Sequence, residues 1–282
     1  MWPYLFIAPA LGAIGLVFVY PLVQVVRDSF YAGSTDTLTY VGTANYKNVV
    51  QDPVFRHSLL NNLKLLVTVP VMTALALLIA VMLNDRIRGW RQYQAIVFLP
   101  YILPATAIGL TFSYLLQRNG VLNTFLRDAG LGALAPDWLG SASWVVPAIG
   151  GVVVWQQLGF GVVVFTAALL ALPAEVTEAA RIDGAGWWQI QRRIHIPQIR
   201  RIVEFFVVLE AITVLSQVFN YVYVLTGGGP GNASSVLEFY IWKNGFSLGS
   251  VGTASTVSVI LLALASVLIA IYMRLRARDA EV

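Results

Sequence analysis

The 282-residue chain is 58% hydrophobic and only 11% charged, with a mean hydropathy of +0.73, where an ordinary soluble domain carries roughly 25% charged residues. That composition describes an integral membrane protein. The absence of cysteine excludes disulfides, thiolate metal sites, iron–sulfur clusters and cysteine nucleophiles, and a net charge of +4 spread over loop arginines, with no basic tract, excludes nucleic acid as a partner.

A helix crossing a hydrocarbon core of roughly 30 Å needs about 20 mainly apolar residues. Six runs qualify, at about 4–26, 61–83, 93–117, 144–172, 202–225 and 251–273. None shows the sustained period-two alternation of a lipid-facing barrel strand. The expectation is an all-α integral membrane protein of six transmembrane helices, with residues 1–282 forming a single transmembrane domain.

The first run starts at Trp2 with no basic residue before Arg27. It lacks the positive stretch and small-residue cleavage site of a signal peptide, so it reads as a retained span. In the third run, Pro100 and Pro104 predict a bend, because proline removes a helical hydrogen bond. Beyond the fifth run, Gly227-Gly228-Gly229-Pro230-Gly231 cannot be a P-loop: no Lys-Ser or Lys-Thr follows and no strand precedes it. It reads as a turn at a membrane exit.

Orientation follows from the basic residues, since short loops rich in Lys and Arg stay in the cytoplasm. The loops after the second, fourth and sixth runs hold eleven arginines, from Arg86 through Arg278, against seven basic residues in the longer opposite loops. Both termini are therefore expected to be cytoplasmic. His57 and His195 then fall on opposite sides and cannot share a metal, so no catalytic residue and no metal ligand is expected. Nor is a nucleotide site written here. An active transporter of this sequence would take its energy from another chain.

Between the fourth and fifth runs lies a polar island, 173–201, set between two long apolar segments. Pro173 suits a first helical turn and Glu175 complements the positive helix end. Ala179 and Ala180 form helix with little bulk, and Gly184 can take the positive φ that stops it. A second short helix through Trp187, Trp188 and Ile190 is expected to run to Pro197 and end there. The island reads as a docking element for another protein or as a solvated amphipathic loop, and composition alone leaves both readings open.

A polar stripe marks the fifth run. Glu210, Thr213, Gln217, Asn220 and Tyr221 succeed one another on one helical face, and Gln156 and Gln157 lie near the middle of the fourth run. These are the candidate substrate path, because a charge at the bilayer centre costs roughly 3 kcal/mol and needs a use or a partner. Amides, a carboxylate and aromatic rings match the hydroxyls and C–H faces of a sugar. The same side chains also hydrogen-bond between membrane helices, and spacing alone leaves both readings open.

Glu178-Ala179-Ala180, then three residues and Gly184, then nine residues and Ile194-His195-Ile196-Pro197, resembles the EAA motif of permease subunits in binding-protein-dependent ABC importers, with Ile196 where leucine is usual. Pro9 with Tyr20-Pro21, Val41-Gly42 with Asn45-Tyr46, Leu99-Pro100 with Pro104, and the segment from Leu225 to Pro230 are similar to the carbohydrate-uptake branch, the maltose-type first permease. The resemblance implies a type I importer permease whose cytoplasmic coupling helices, through Glu178, Ala179, Ala180, Asp183, Gly184 and Ala185, dock on an ATPase. It further implies a second homologous permease, two ATPase subunits or an ATPase homodimer, and an extracytoplasmic substrate-binding protein. ATP and Mg belong to the ATPase, and this chain binds no cofactor. The setting is the lipid of a bacterial or archaeal cytoplasmic membrane. Two alternatives stay open at this point: an ion-coupled secondary transporter using Glu210, although no pair of corresponding halves is found, and a permease for glycerol phosphate or another polyol.

Overall fold

In the computed structural model the described residues are 2–33, 37–85 and 88–280. Arg86, one of the arginines counted above, lies outside them, as do the side chains of Arg276 and Arg278.

The apolar runs fold as helices because backbone groups in hydrocarbon must be satisfied within the segment. First come α1 (Phe6–Asp28, through a π turn at Gly15–Val19), α2 (Ala44–Gln51) and α3 (Pro53–Asn84). Next, α4 (Trp90–Ile102) and α5 (Ala105–Leu115) meet at a 95° bend, and α6 (Val121–Asp128) follows. The long α7 (Val145–Leu170) leads into α8 (Ala174–Ile182) and α9 (Trp187–Ile190). Then α10 (Arg200–Gln217) and α11 (Phe219–Leu225) meet at a 43° bend, with α12 (Leu237–Trp242) and α13 (Val251–Ala280) beyond. Of these, α1, α3, α7 and α13 are each long and apolar enough to cross a membrane, and each bent pair passes as one span, making six among the described residues. The departure from helix is a two-residue antiparallel ribbon, β1 (Tyr31–Ala32) with β2 (Thr39–Tyr40), closed by an edge-on contact of Tyr31 with Tyr40.

The bend between α4 and α5 has a local cause. Pro104 supplies no N–H, and Leu103 before it is extended, at φ −73° and ψ 141°. The helix stops and restarts around that pair.

By contacts the chain divides into two compact units, Asn61–Ser234 and the remainder, with one cut inside α3. In the unit made of the segments before residue 61 and after 234, α13 gathers the second half of α1 together with α2 and α12. Val49, Phe55, Leu237, Tyr240 and Val257 form its core. Asn45 and Thr256, buried there, are paired: Asn45 Nδ2 donates to the Ser29 and Tyr31 carbonyls at 2.9 and 2.7 Å, and the Thr256 hydroxyl lies 2.8 Å from the Gly252 carbonyl of its own turn and 3.1 Å from that of Ser29.

In Asn61–Ser234 the central element is α7, against which α3, α4 and α10 pack. Met72, Ala76, Ala80, Phe165, Leu169 and Phe206 fill the space between them. A side chain at position 159 would run into the Val97 carbonyl and the Phe98 backbone, so glycine there is what lets α4 lie against α7. That close approach brings the α4–α5 bend beside the middle of α7.

Candidate functional site

Within Asn61–Ser234 a cavity of about 320 Å³ is lined by Tyr101, Leu103 and Ala105 around the bend, Gln156 and Gln157 on α7, and Leu209, Glu210, Thr213, Gln217 and Tyr221 on α10 and α11. Six of the seven path residues expected from sequence line this one space. Asn220 does not: the bend after Gln217 re-aims the helix, and of α11 only Tyr221 returns to the cavity. Glu210 lies ten residues into α10, about 15 Å along it, which is half of a hydrocarbon core of roughly 30 Å. Gln156 and Gln157 sit at the middle of the 26-residue α7.

The polar groups here divide into spent and unspent. Gln156 uses both ends of its amide: Nε2 donates to the Leu103 carbonyl at 2.9 Å, and Oε1 accepts from the Tyr221 hydroxyl. The Leu103 carbonyl is one that the broken helix leaves without a helical partner, so Gln156 braces the bend and anchors α11. Thr213 donates to its own turn, at the Leu209 carbonyl, 2.9 Å away. Glu210 is only 1% exposed, and its Oε2 has no hydrogen-bond partner among the described residues. The ring of Tyr101 stacks on Phe160 with centroids 5.1 Å apart, giving the cavity an aromatic wall. Glu204, the other acid of this run, pairs with Arg200 one turn away and takes no part.

The polar island folds as a second feature. Pro173 precedes α8, Glu175 occupies its first turn and Arg181 its last, matching the helix dipole. At its end the Ala185 N–H donates to the Ala180 carbonyl at 2.9 Å and the Gly184 N–H to the Arg181 carbonyl at 3.1 Å, with Gly184 at φ +81°. This paired closure is the Schellman motif, which needs a left-handed residue at the position Gly184 holds. Glu178, Ala179, Asp183 and Gly184 are exposed, while Ala180 and Ala185 are half-buried across the closure. Val176, Ile182 and Trp188 are also exposed, Ile182 to 86%, an unusual face for a polar segment.

Behind that face the island is tied down. His195, 5% exposed, lies 2.7 Å from Gln191 Oε1 through Nδ1 and 2.9 Å from the Thr177 hydroxyl through Nε2. An amide oxygen only accepts, so Nδ1 carries the proton and Nε2 accepts from Thr177. Burial holds this imidazole below the ordinary histidine value, Asp85 opposing the push and Arg181 adding to it. Trp187 Nε1 donates to Asp85 at the end of α3. A cavity of about 270 Å³ separates α8 from the ends of α3 and α7, lined by Asp85, Thr177, Glu178, Arg181 and His195 among others.

From sequence His195 has no role beyond its exclusion as a metal ligand, and nothing there signals the Trp187–Asp85 tie. The four-residue spacing of Gln191 and His195 on one helical face was the available signal. The expected stop at Pro197 needs correction. α9 widens into a π turn at Gln191–His195, Pro197 sits in the first turn of the next piece where no N–H is required, and the chain turns only at Ile199.

Residues 53–279 match the family described as binding-protein-dependent transport system inner membrane component. The probable ABC transporter permease protein YurN of Bacillus subtilis (strain 168) is 35% identical over 267 residues, 92% of this chain and 90% of that protein. The lactose transport system permease protein LacF of Rhizobium radiobacter is 31% identical over 270 residues, 94% of this chain and 90% of that protein. The alpha-glucoside transport system permease protein AglF of Rhizobium meliloti (strain 1021) is 33% identical, over 80% of this chain and 68% of that protein. The fold is that of a chain in a bacterial ABC transporter involved in import of the acidic polysaccharide alginate, with a TM-score of 0.86 at 22% identity, covering 98% of this chain and 95% of that one. With six apolar spans and a family match over most of its length, this multi-pass membrane chain belongs to the inner membrane components of binding-protein-dependent transport systems, the permease subunits of ABC importers.

Proposed function

We propose that this permease carries a carbohydrate, delivered by an extracytoplasmic binding protein, through a pathway it forms with a second homologous permease above an ATPase pair. The observation that carries the reading is the mid-helix cavity, where amides, a carboxylate, hydroxyls and an aromatic wall gather among otherwise apolar helices. The names of relatives agree: LacF is a lactose and AglF an alpha-glucoside permease. Glu210, Thr213, Gln217, Tyr221 and Gln157 are the residues assigned to the path. Gln156 is assigned to holding its walls, and Asn220 to helix packing. An ion-coupled secondary transporter has no support in a family of binding-protein-dependent systems.

In the same reading α8 is the coupling helix. Glu178, Ala179, Asp183 and Gly184, with Ala180 and Ala185 closing the turn, present a small-residue face to a cleft of the ATPase, and exposed Ile182 and Val176 supply apolar contact. ATP and Mg stay on that partner. The arginine distribution supports cytoplasmic termini and a cytoplasmic α8. Purification through a tag on this chain is expected to bring down a second permease and an ATPase, and the reconstituted complex with its binding protein is expected to take up a neutral disaccharide with ATP hydrolysis. A chain that transports with neither partner would sink the reading.

A further inference from the structure

Among the residues lining the cavity Glu210 is the acid, and its hydrogen-bonding capacity is left over. Gln156 spends donor and acceptor on Leu103 and Tyr221, the Tyr221 hydrogen goes to Gln156, and the Thr213 hydrogen goes to Leu209. Glu210 lines the space, and its Oε2 is buried and accepts nothing among the described residues. No Lys, Arg or His is among the residues lining the cavity. A buried carboxyl oxygen without a donor is unfavourable unless something else supplies one. What is missing is a hydrogen-bond donor, and a group entering the cavity can bring it.

Resting on the carbohydrate reading above, we propose that Glu210 is the charge filter of the pathway. Its carboxylate accepts a hydroxyl or ammonium hydrogen from a neutral or amino-substituted saccharide in transit. A saccharide bearing a carboxylate, sulfonate or phosphate meets this carboxylate with no cation of this chain beside it to offset its own desolvation, and is turned away. The aromatic wall at Tyr101 takes the C–H face of either kind of sugar, so it does not discriminate by charge. Discrimination falls to Glu210 in its ionised form, because an anion buried beside a like charge is disfavoured twice, by repulsion and by loss of water. Glycerol phosphate and acidic saccharides are thereby excluded as cargo, although the fold is shared with a chain of an alginate importer.

The chain has no cysteine, so the filter can be tested without sugar or binding protein. Thr213→Cys places one thiol in the cavity of the full complex in membrane vesicles. Its modification is followed with a cationic reagent, methanethiosulfonate-ethyltrimethylammonium, and an anionic one, methanethiosulfonate-ethylsulfonate, each rate normalised to a free thiol. With Glu210 intact the cation is expected to react about tenfold faster than the anion, and in Glu210→Gln the ratio is expected to fall close to one. Gln217→Cys repeats the measurement should Thr213→Cys fail to assemble. An equal ratio in the two backgrounds overturns the filter, and so does failure of both reagents to reach either thiol. Failure of the carbohydrate reading shows separately, as a reconstituted complex that moves no neutral disaccharide whatever the thiol ratio.

Discussion

Gln156 and Gln157 are neighbours in sequence and equal in chemistry, yet they have different work. The first joins the Leu103 carbonyl to the Tyr221 hydroxyl, and the second lines the cavity with no such bridge described. Gln156→Leu would leave a carbonyl and a hydroxyl unpaired in the bundle, and is expected to lower stability by about 1–2 kcal/mol, read as a lower melting temperature in detergent. Gln157→Leu is expected to spare the melt and reduce uptake. His195 makes a pH-dependent contribution. Its folded-state value lies below the ordinary 6.5, so the stability it adds is complete above that value and is lost as pH falls through the folded one. Melting measured between about pH 7 and pH 5 is expected to show this loss, and His195→Ala to remove the pH dependence while costing about 1 kcal/mol. Which glutamine braces and which faces the cavity was not legible in the sequence, because it depends on the geometry of a bend whose existence alone Pro100 and Pro104 signal.

At the scale of elements, the island was legible as two short helices, and Gly184 as the residue that ends the first. Helix-forming alanines, an acidic first turn and a glycine stop are local signals, and local signals survive in a short exposed helix. The π turn and the buried imidazole were not legible, since both follow from packing against α3 and α7. The Gly184 closure yields an ordering. No neighbour lies within 4 Å of a side chain placed there, so the penalty is that of the backbone at φ +81°. Gly184→Asn, which tolerates this region, is expected to retain most uptake, whereas Gly184→Val loses about 1–2 kcal/mol in the last turn and most of the transport rate. Equal uptake by the two variants would show that the closure is not what matters. A bulky charge, as in Gly184→Arg, is expected to leave the complex able to receive loaded binding protein and unable to transport.

Over the whole molecule, burial ranks the spans. The α7 window is half buried and that of α1 not at all, so α1 depends on lipid or another subunit to cover its apolar length. Six apolar runs were readable because hydropathy reports what hydrocarbon demands. The division into Asn61–Ser234 and the remainder was not, since contacts across 170 residues leave no periodic trace. Sidedness is directly measurable in a chain without cysteine. Glu178→Cys is expected to react with a membrane-impermeant maleimide only from the cytoplasmic side, and Asp137→Cys only from the outside. The reverse pattern would overturn the arginine argument.

The ties behind α8 bear on how force travels. A loop hung on flexible ends would absorb a push by bending. Here Thr177, on α8 itself, is held to His195, and Trp187 to the end of α3, so the segment has the stiffness of a lever whose fulcrum is the imidazole. A displacement of α8 would reach α3, α7 and, through Ile199, α10, and the last two carry Gln156, Gln157 and Glu210 of the mid-helix cavity. Softening the fulcrum would waste the stroke without touching the ATPase or the cargo.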